Sequence, residues 1–251
     1  MPGRLDGKVA IVIGGAKGVG SRVVEVFARE GARVVLADID DKAGAAMAAR
    51  HGATYVHADT AWKPDMQALA ARTVDRFGRI DVLAHIAGIC PRGPIETLDE
   101  TDWDRTLAVN LKGAFLAVQA CFPTMRRQSY GRIVFTGSIT GPHVTWPDHG
   151  HYASSKAGLV GLARSVALEG APFGITCNVV EPGNVETETV RATHGEGHLR
   201  TMAAAVPIGR LAQPVDVGES MAFLCSDAAA YVTGTTLVLD GGQILPEARM
   251  G

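Results

Sequence analysis

Tyr152 and Lys156 stand four residues apart in a stretch of helical pattern, so both side chains fall on one face. A phenol is a poor base near neutral pH, with a reference pKa of about 10. A neighbouring ammonium favours the phenolate and lowers that value. The pair can therefore build a general acid/base from an ordinary tyrosine. The bland use of the same spacing is a lysine snorkelling beside a half-buried phenol.

A second cluster lies near the N-terminus. An apolar run ending at Ile13 passes into Gly14-Gly15-Ala16-Lys17-Gly18-Val19-Gly20 and then into a helical pattern. Glycines permit positive φ and let backbone approach a pyrophosphate, and the helix start offers free N–H donors. Asp38 follows Gly20 by 18 residues, where the next apolar run closes. That is near the distance at which a carboxylate meets a ribose 2′-OH; a helix N-cap is its other use, as for Asp40 or Asp41. A carboxylate accepts from a ribose diol and repels a 2′-phosphate, which favours NAD(H). Lys17 pulls the other way and leaves NADP(H) as the alternative. Repulsion at contact outweighs attraction from a solvated lysine.

Three histidines, His143, His149 and His151, crowd the segment before Tyr152. An extended His149-x-His151 pair could share a face toward a metal, but no carboxylate or cysteine at ligand spacing completes a set. No metal is expected, and a histidine touching substrate is the better use. Trp146, with Ile139 and Val144, offers an apolar wall, and residues 90–95 offer another.

The elements that must position these groups follow from two alternating periods. Short apolar runs rich in β-branched residues read as buried strands at 9–13, 33–37, 54–57, 80–85, 132–136, 176–180 and 236–239. Between them lie helical patterns at 19–30, 42–51, 64–77, about 101–127, about 152–170 and about 214–225. Strand, helix, strand, repeated, implies parallel pairing through right-handed crossovers. The expected fold is α/β: a doubly wound Rossmann sheet of about seven strands, flanked by helices, in a single domain over 1–251. Residues 186–206 are polar and weakly periodic, and read as a mobile lid.

Composition narrows the function classes. The chain has 251 residues, 47% hydrophobic and 20% charged, enough apolar surface for a sizeable core. Lys+Arg is 24 against Asp+Glu 26, without a basic run, so no nucleic-acid partner is expected. No stretch approaches the roughly 18 apolar residues of a membrane span, and the first residues do not read as a secretory leader. Cys90, Cys121, Cys177 and Cys225 form no CxxC pair. They read as reduced, mostly buried thiols, which with the missing leader makes a cytoplasmic location the expectation.

Over essentially its whole length the chain resembles the short-chain dehydrogenases/reductases of about 250 residues. The resemblance rests on the joint order of Gly14-x-x-x-Gly18-x-Gly20, Asp59, Ala87-Gly88, Asn110, Ser138, Tyr152-x-x-x-Lys156, Pro182-Gly183, and Thr233-Gly234 through Asp240-Gly241-Gly242. It implies an enzyme that exchanges hydride between a nicotinamide cofactor and a secondary alcohol or its ketone. Tyr152 would be the general acid/base, and Lys156 would lower its pKa and hold the ribose of the nicotinamide. Ser138 would stabilise the substrate oxygen, and Asn110 would hold a water relaying protons from Lys156. The cofactor would lie on Gly14, Lys17, Gly18, Val19 and Gly20, with Asp38, Ile39, Asp59 and Thr60 around the adenosine. Ala87 and Gly88 would take the adenine-side ribose, Pro182 and Gly183 would also contact the cofactor, and the Val185 backbone and Thr187 hydroxyl would hold the carboxamide. Ile139, Trp146, His149 and Asn184 would line the substrate. The helices at 101–127 and 152–170 would pack between subunits of a homotetramer, with the tail 244–251 near such a contact.

The chain departs from the family pattern in three places. Ile13 replaces the usual loop threonine, and His85-Ile86 replaces an Asn-Asn pair that ties the sheet to the cofactor site. Ser138 precedes Tyr152 by 14 positions, one more than usual, so either the loop bulges or Thr136 or Thr140 shares the serine's work. Two rival functions follow: an NADPH-dependent reductase of 3-oxoacyl carrier thioesters, and a dinucleotide-binding module without catalysis.

Overall fold

The computed structural model describes residues 2–246. Its elements in chain order are β1 (Val9–Ile13), α1 (Gly18–Arg29), β2 (Arg33–Asp38), α2 (Asp41–His51), β3 (Thr54–His57), α3 (Lys63–Phe77) and β4 (Val82–His85). They continue with α4 (Glu100–Leu107), α5 (Gly113–Gln128), β5 (Gly131–Thr136), α6 (Gly150–Gly170), β6 (Ile175–Pro182), α7 (Glu188–Ala204), α8 (Pro214–Leu224) and β7 (Thr236–Leu239). The seven strands form one sheet in the order β3-β2-β1-β4-β5-β6-β7. Every pairing is parallel, with Val12 beside Leu36 on one flank and Ala84 on the other. This is the doubly wound Rossmann sheet that the alternating periods imply.

Each strand alternates its side chains between two cores. Ile11, Ile13, Ile133, Phe135, Cys177 and Val179 join the core under α3, α5 and α6. Ala10, Val12, Val134 and Val180 join the core under α1 and α8. Both faces are dry, which is why the strands read as unbroken apolar runs. Strand order reverses between β1 and β4, and a crevice opens beyond the carboxyl ends of the strands there.

Three boundaries differ from the periodicity. The helix expected over 101–127 is interrupted by a π-helical turn at Ala108–Lys112, which contains Asn110. Such a turn inserts an extra residue and is common at functional sites. Strand β6 is longer than its apolar run because Glu181 and Pro182 pair with Val238 and Leu239 of β7. The polar segment after it is mostly the helix α7, capped by Thr187 Oγ1, which accepts from Val190 N at 3.2 Å. Gly195 breaks that helix with φ 63°. A small cluster of Leu199, Val206 and Leu211 holds it down, a pattern too sparse to read as periodicity. Among the described residues no helix is long and apolar enough to cross a membrane. Most of the tail expected at a subunit contact, 247–251, lies outside the described residues.

Candidate active site

The glycine loop closes the carboxyl end of β1 over backbone, not side chains. A Cβ on Gly20 would meet the Gly14 carbonyl oxygen at 1.9 Å, and one on Gly14 (φ 80°) would meet Ala87 N at 2.5 Å. Only glycine lets these three segments approach so closely. Lys17, the residue before α1, makes no side-chain cap, which leaves the helix N-terminal amides open. Ile13, in place of a threonine, is buried in the core and also borders the cavity under the loop.

Asp38 ends β2 with both carboxylate oxygens engaged. Oδ2 accepts from Ala16 N at 3.0 Å, and Oδ1 accepts from Asp40 N at 3.0 Å. Its orientation is thus set by the loop it faces. Asp40, not Asp38, is the N-cap of α2. Lys17 Nζ pairs with Asp40 Oδ2 at 2.5 Å, an exposed bridge. Asp59 accepts from Ala61 N at 2.9 Å and lines the same crevice.

His85 repairs one departure. It is buried, and its Nε2 shares a 2.9 Å hydrogen bond with Thr60 Oγ1. The strand end and the segment after β3 are tied by this pair. Burial, then the charge of Lys156, pushes the His85 imidazole down to about 3. The Thr60 hydroxyl is therefore committed to His85.

The acid/base groups converge at the start of α6. Lys156 is buried and its Nζ donates to the Thr136 carbonyl at 2.7 Å. Its ammonium lies 5.6 Å from the centre of the Tyr152 ring. Burial raises the Tyr152 phenol to about 12, against the pull of the Ser138 hydroxyl. Burial likewise lowers Lys156 to about 8. Burial sets the direction here: the phenol stands above its ordinary value, not below it as the charge of Lys156 alone would place it. Ser138 Oγ accepts from Thr140 N at 3.1 Å. The extra residue in the loop leaves Ser138 within reach of Tyr152; Asp148, in the left-handed region at φ 67°, marks the loop's tightest non-glycine turn.

Asn110 sits behind these groups, fully buried. Its Nδ2 donates to the Ile89 carbonyl at 2.9 Å and to Ser155 Oγ at 3.0 Å, and its Oδ1 accepts from Ile89 N at 2.8 Å. Ser155 Oγ in turn donates to the Tyr152 carbonyl at 2.7 Å. The π-helical turn thus clamps the segment after β4 to α6. A Cβ on Gly88 would stand 3.4 Å from Asn110 Oδ1 and 3.5 Å from Lys156 Nζ.

These groups border one cavity of about 1010 Å³. Its lining includes Gly14, Lys17, Val19, Gly20, Asp38, Ile39, Asp59 and Thr60. It also includes Ala87, Gly88, Ser138, Tyr152, Lys156, Pro182, Gly183, Val185 and Thr187. Ile139, Trp146, His149 and Asn184 border it as well. Gly18 and Asn110 do not: Gly18 turns the loop at φ 54°, and Asn110 acts through Ile89 and Ser155. The Thr187 hydroxyl, expected on a carboxamide, is engaged in capping α7.

Sequence reasoning missed Arg105, Val109, Val190, Met202 and Gln243, which also line the cavity. Gln243 Oε1 accepts from Asn184 N at 3.1 Å. Its one signal was its place directly after the Gly241-Gly242 pair. The α4 and α7 residues carried none, because a helix-facing position only becomes a wall once the helix is placed. Cys90 borders the cavity and is exposed, whereas the other three cysteines are buried.

The histidine cluster separates. His143 Nε2 meets Glu181 Oε2 at 2.8 Å. His149 Nδ1 meets the Pro147 carbonyl at 2.8 Å, and its ring stands edge-on to Tyr152. His151 is buried with neither ring nitrogen bonded. Among the described residues no group of three His, Cys, Asp or Glu side chains is placed to hold a metal.

The family described as Enoyl-(Acyl carrier protein) reductase matches residues 14–243. The oxidoreductase UcpA of Salmonella typhimurium is 40% identical, over 98% of both chains. The 3-alpha-(or 20-beta)-hydroxysteroid dehydrogenase of Mycobacterium tuberculosis is 40% identical over 97% of this chain and 92% of its own. The crystal structure of levodione reductase superposes with a TM-score of 0.90 at 29% identity, covering 95% of this chain and 98% of that one. The chain belongs to the short-chain dehydrogenase/reductase family of oxidoreductases, which use nicotinamide cofactors.

Proposed function

We propose that the protein is an NAD(H)-dependent oxidoreductase that interconverts a secondary alcohol and its ketone, with Tyr152 as general acid/base. The observation that carries this reading is one cavity bordered by Asp38 and by the buried Tyr152, Ser138 and Lys156. The site fits a dinucleotide: the glycine loop is bare of side chains, and the α1 amides are uncapped. Asp38 is aimed by two backbone amides, and Lys17 is already paired with Asp40. Two carboxylates and a neutralised lysine favour a ribose diol over a 2′-phosphate. A steroid alcohol for one relative and levodione for a structural neighbour are in keeping with an alcohol/ketone substrate.

When bound, the nicotinamide supplies the acceptor for the carbinol hydrogen in oxidation and the donor in reduction. The chain's own residues handle the proton. In reduction Tyr152 Oη gives its proton to the carbonyl oxygen, and a phenol with its pKa near 12 holds that proton at neutral pH. Ser138 Oγ donates to the same oxygen as charge develops there. Lys156, aligned by the Thr136 carbonyl, holds ribose hydroxyls and returns a proton to the phenolate. Asn110 keeps α6 in register through Ser155 and holds the Ile89 segment beside Lys156. In oxidation each proton runs backwards, so one alcohol O–H proton ends in solvent.

The remaining features of this reading are a lid formed by 186–206, a cytoplasmic location and a homotetramer. Phe115 of α5 and Leu168 of α6 are exposed large apolar side chains, as faces packed between subunits would require. Light scattering tests the tetramer. The test of function follows reduced-cofactor absorbance with NAD(H) and NADP(H) in parallel, against ketones, sugars, polyols, steroids and acetoacetyl thioesters. Turnover of an alcohol or ketone with the higher kcat/KM on NAD(H) is expected. Turnover of the thioester with NADPH establishes the acyl-reductase rival instead. Dinucleotide binding without turnover establishes the non-catalytic one.

A further inference from the structure

His149 borders the cavity beside Tyr152, with ring centroids 6.2 Å apart and planes at 81°. Its Nδ1 lies 2.8 Å from the Pro147 carbonyl oxygen. A carbonyl oxygen has lone pairs and no proton, so Nδ1 must be the donor in that bond. In the neutral ring the proton on Nδ1 leaves Nε2 as a bare acceptor. The ring therefore has one polar atom left to offer the cavity, and that atom accepts.

The cavity it borders is lined by the apolar Ile139, Trp146, Val190 and Met202 and by the polar Thr140, Asn184 and Gln243. Ser138 and Tyr152 are taken up by the reacting oxygen. An acceptor fixed at the edge of the cavity rewards a ligand that brings a donor there and penalises one that does not. The reacting oxygen is held by Tyr152, and His149 lies at the side of that ring. A hydroxyl on the carbon next to the reacting one is the donor that reaches sideways to it.

We infer that His149 is a specificity residue whose Nε2 accepts from a second substrate hydroxyl, selecting vicinal diols and the corresponding α-hydroxy ketones. This rests on the alcohol/ketone reading above and adds the neighbouring hydroxyl to it. No new chemical step is involved; the residue acts in binding.

Two measurements on the full-length protein test it. First, the ¹⁵N spectrum of histidine-labelled protein, with His149 assigned from its absence in His149→Phe, reads the tautomer directly. A protonated Nδ1 and bare Nε2 are expected; a proton on Nε2 at neutral pH overturns the inference. Second, kcat/KM is compared for hydroxyacetone and methoxyacetone with NADH. The ether keeps the oxygen's inductive pull and removes the donor. About a tenfold preference for hydroxyacetone is expected in the wild type, the size one hydrogen bond provides, carried mainly by KM. His149→Phe brings the ratio near unity, and His149→Gln, which retains an acceptor oxygen, restores part of it. A wild-type ratio near one, or a ratio unchanged in His149→Phe, overturns the inference. Absence of turnover for either ketone alongside every other alcohol and ketone overturns the alcohol/ketone reading itself, and the inference with it.

Discussion

The two rims of the sheet bury ionisable groups in opposite ways. At the amino-terminal rim Asp81, fully buried, accepts from Val9 N at 2.8 Å and from Arg79 at 2.6 to 3.0 Å. Arg132, also buried, donates to the Gly131 and Gly174 carbonyls at 2.9 and 3.0 Å. Gln128 clasps both backbone groups of Ile80. At the carboxyl-terminal rim the partners run short. Glu181 Oε1 and Thr136 Oγ1 are buried without a hydrogen bond, as the uncharged Thr176 Oγ1 is at the other rim, and Tyr152, Lys156 and His85 hold displaced pKa values. A satisfied buried charge adds rigidity, whereas an under-satisfied one keeps its proton affinity adjustable. The sheet is stapled at one end and reactive at the other.

The largest effect that would sharpen this contrast is chemical. Tyr152→Phe should lower kcat by about 10²–10⁴-fold, the usual weight of general acid/base work, while thermal unfolding stays nearly unchanged. An active variant would remove Tyr152 from its role. At the other rim Asp81→Ala should do the reverse, since it strands the Val9 amide and breaks the Arg79 contact. Urea unfolding should report a loss of about 2–4 kcal/mol, with kcat per folded molecule retained. A fall in kcat without loss of stability would erase the distinction between the rims.

Two smaller effects probe the reactive rim. His85 stays neutral in the folded protein because its pKa is pushed to about 3 by burial. Unfolded histidine binds a proton below about 6.5. Its contribution is therefore intact above pH 6.5 and lost as pH falls toward 3, at up to about 1.4 kcal/mol per pH unit. His85→Asn should flatten that part of the stability curve, which acid titration of the unfolding free energy checks. Smallest, Asp38→Ala should narrow the preference for NAD(H) by roughly tenfold in the ratio of kcat/KM values, equal to about 1.4 kcal/mol. An unchanged ratio would mean that Asp38 does not discriminate the two cofactors.

Much of the site was legible because its signals are short-range. The glycine loop and the Tyr152–Lys156 pair depend on spacing within a single element or turn, Asp38 on spacing within one strand–helix–strand unit, and Gly14, Gly20, Asp38, Tyr152 and Lys156 all border the cavity. The clamp on Asn110 was not legible, because it depends on a π-helical turn that no hydrophobic period records. The direction of the Tyr152 shift was not legible either: charge spacing suggested a lowered pKa, and only the degree of burial reverses the sign. His143 and His149 looked like one cluster, yet they meet Glu181 and Pro147 respectively.

What the sequence determined by itself is the sheet, its parallel order of strands and helices, and which groups are candidates for the chemistry. Period and motif are local, and one chain carries them whole. The tertiary structure alone decided which of those groups stay unsatisfied, that Nδ1 of His149 meets the Pro147 carbonyl, and that His85 meets Thr60. Those outcomes depend on desolvation and on partners that fall together only when distant segments pack, such as Glu181 with His143 and Asn110 with Ser155.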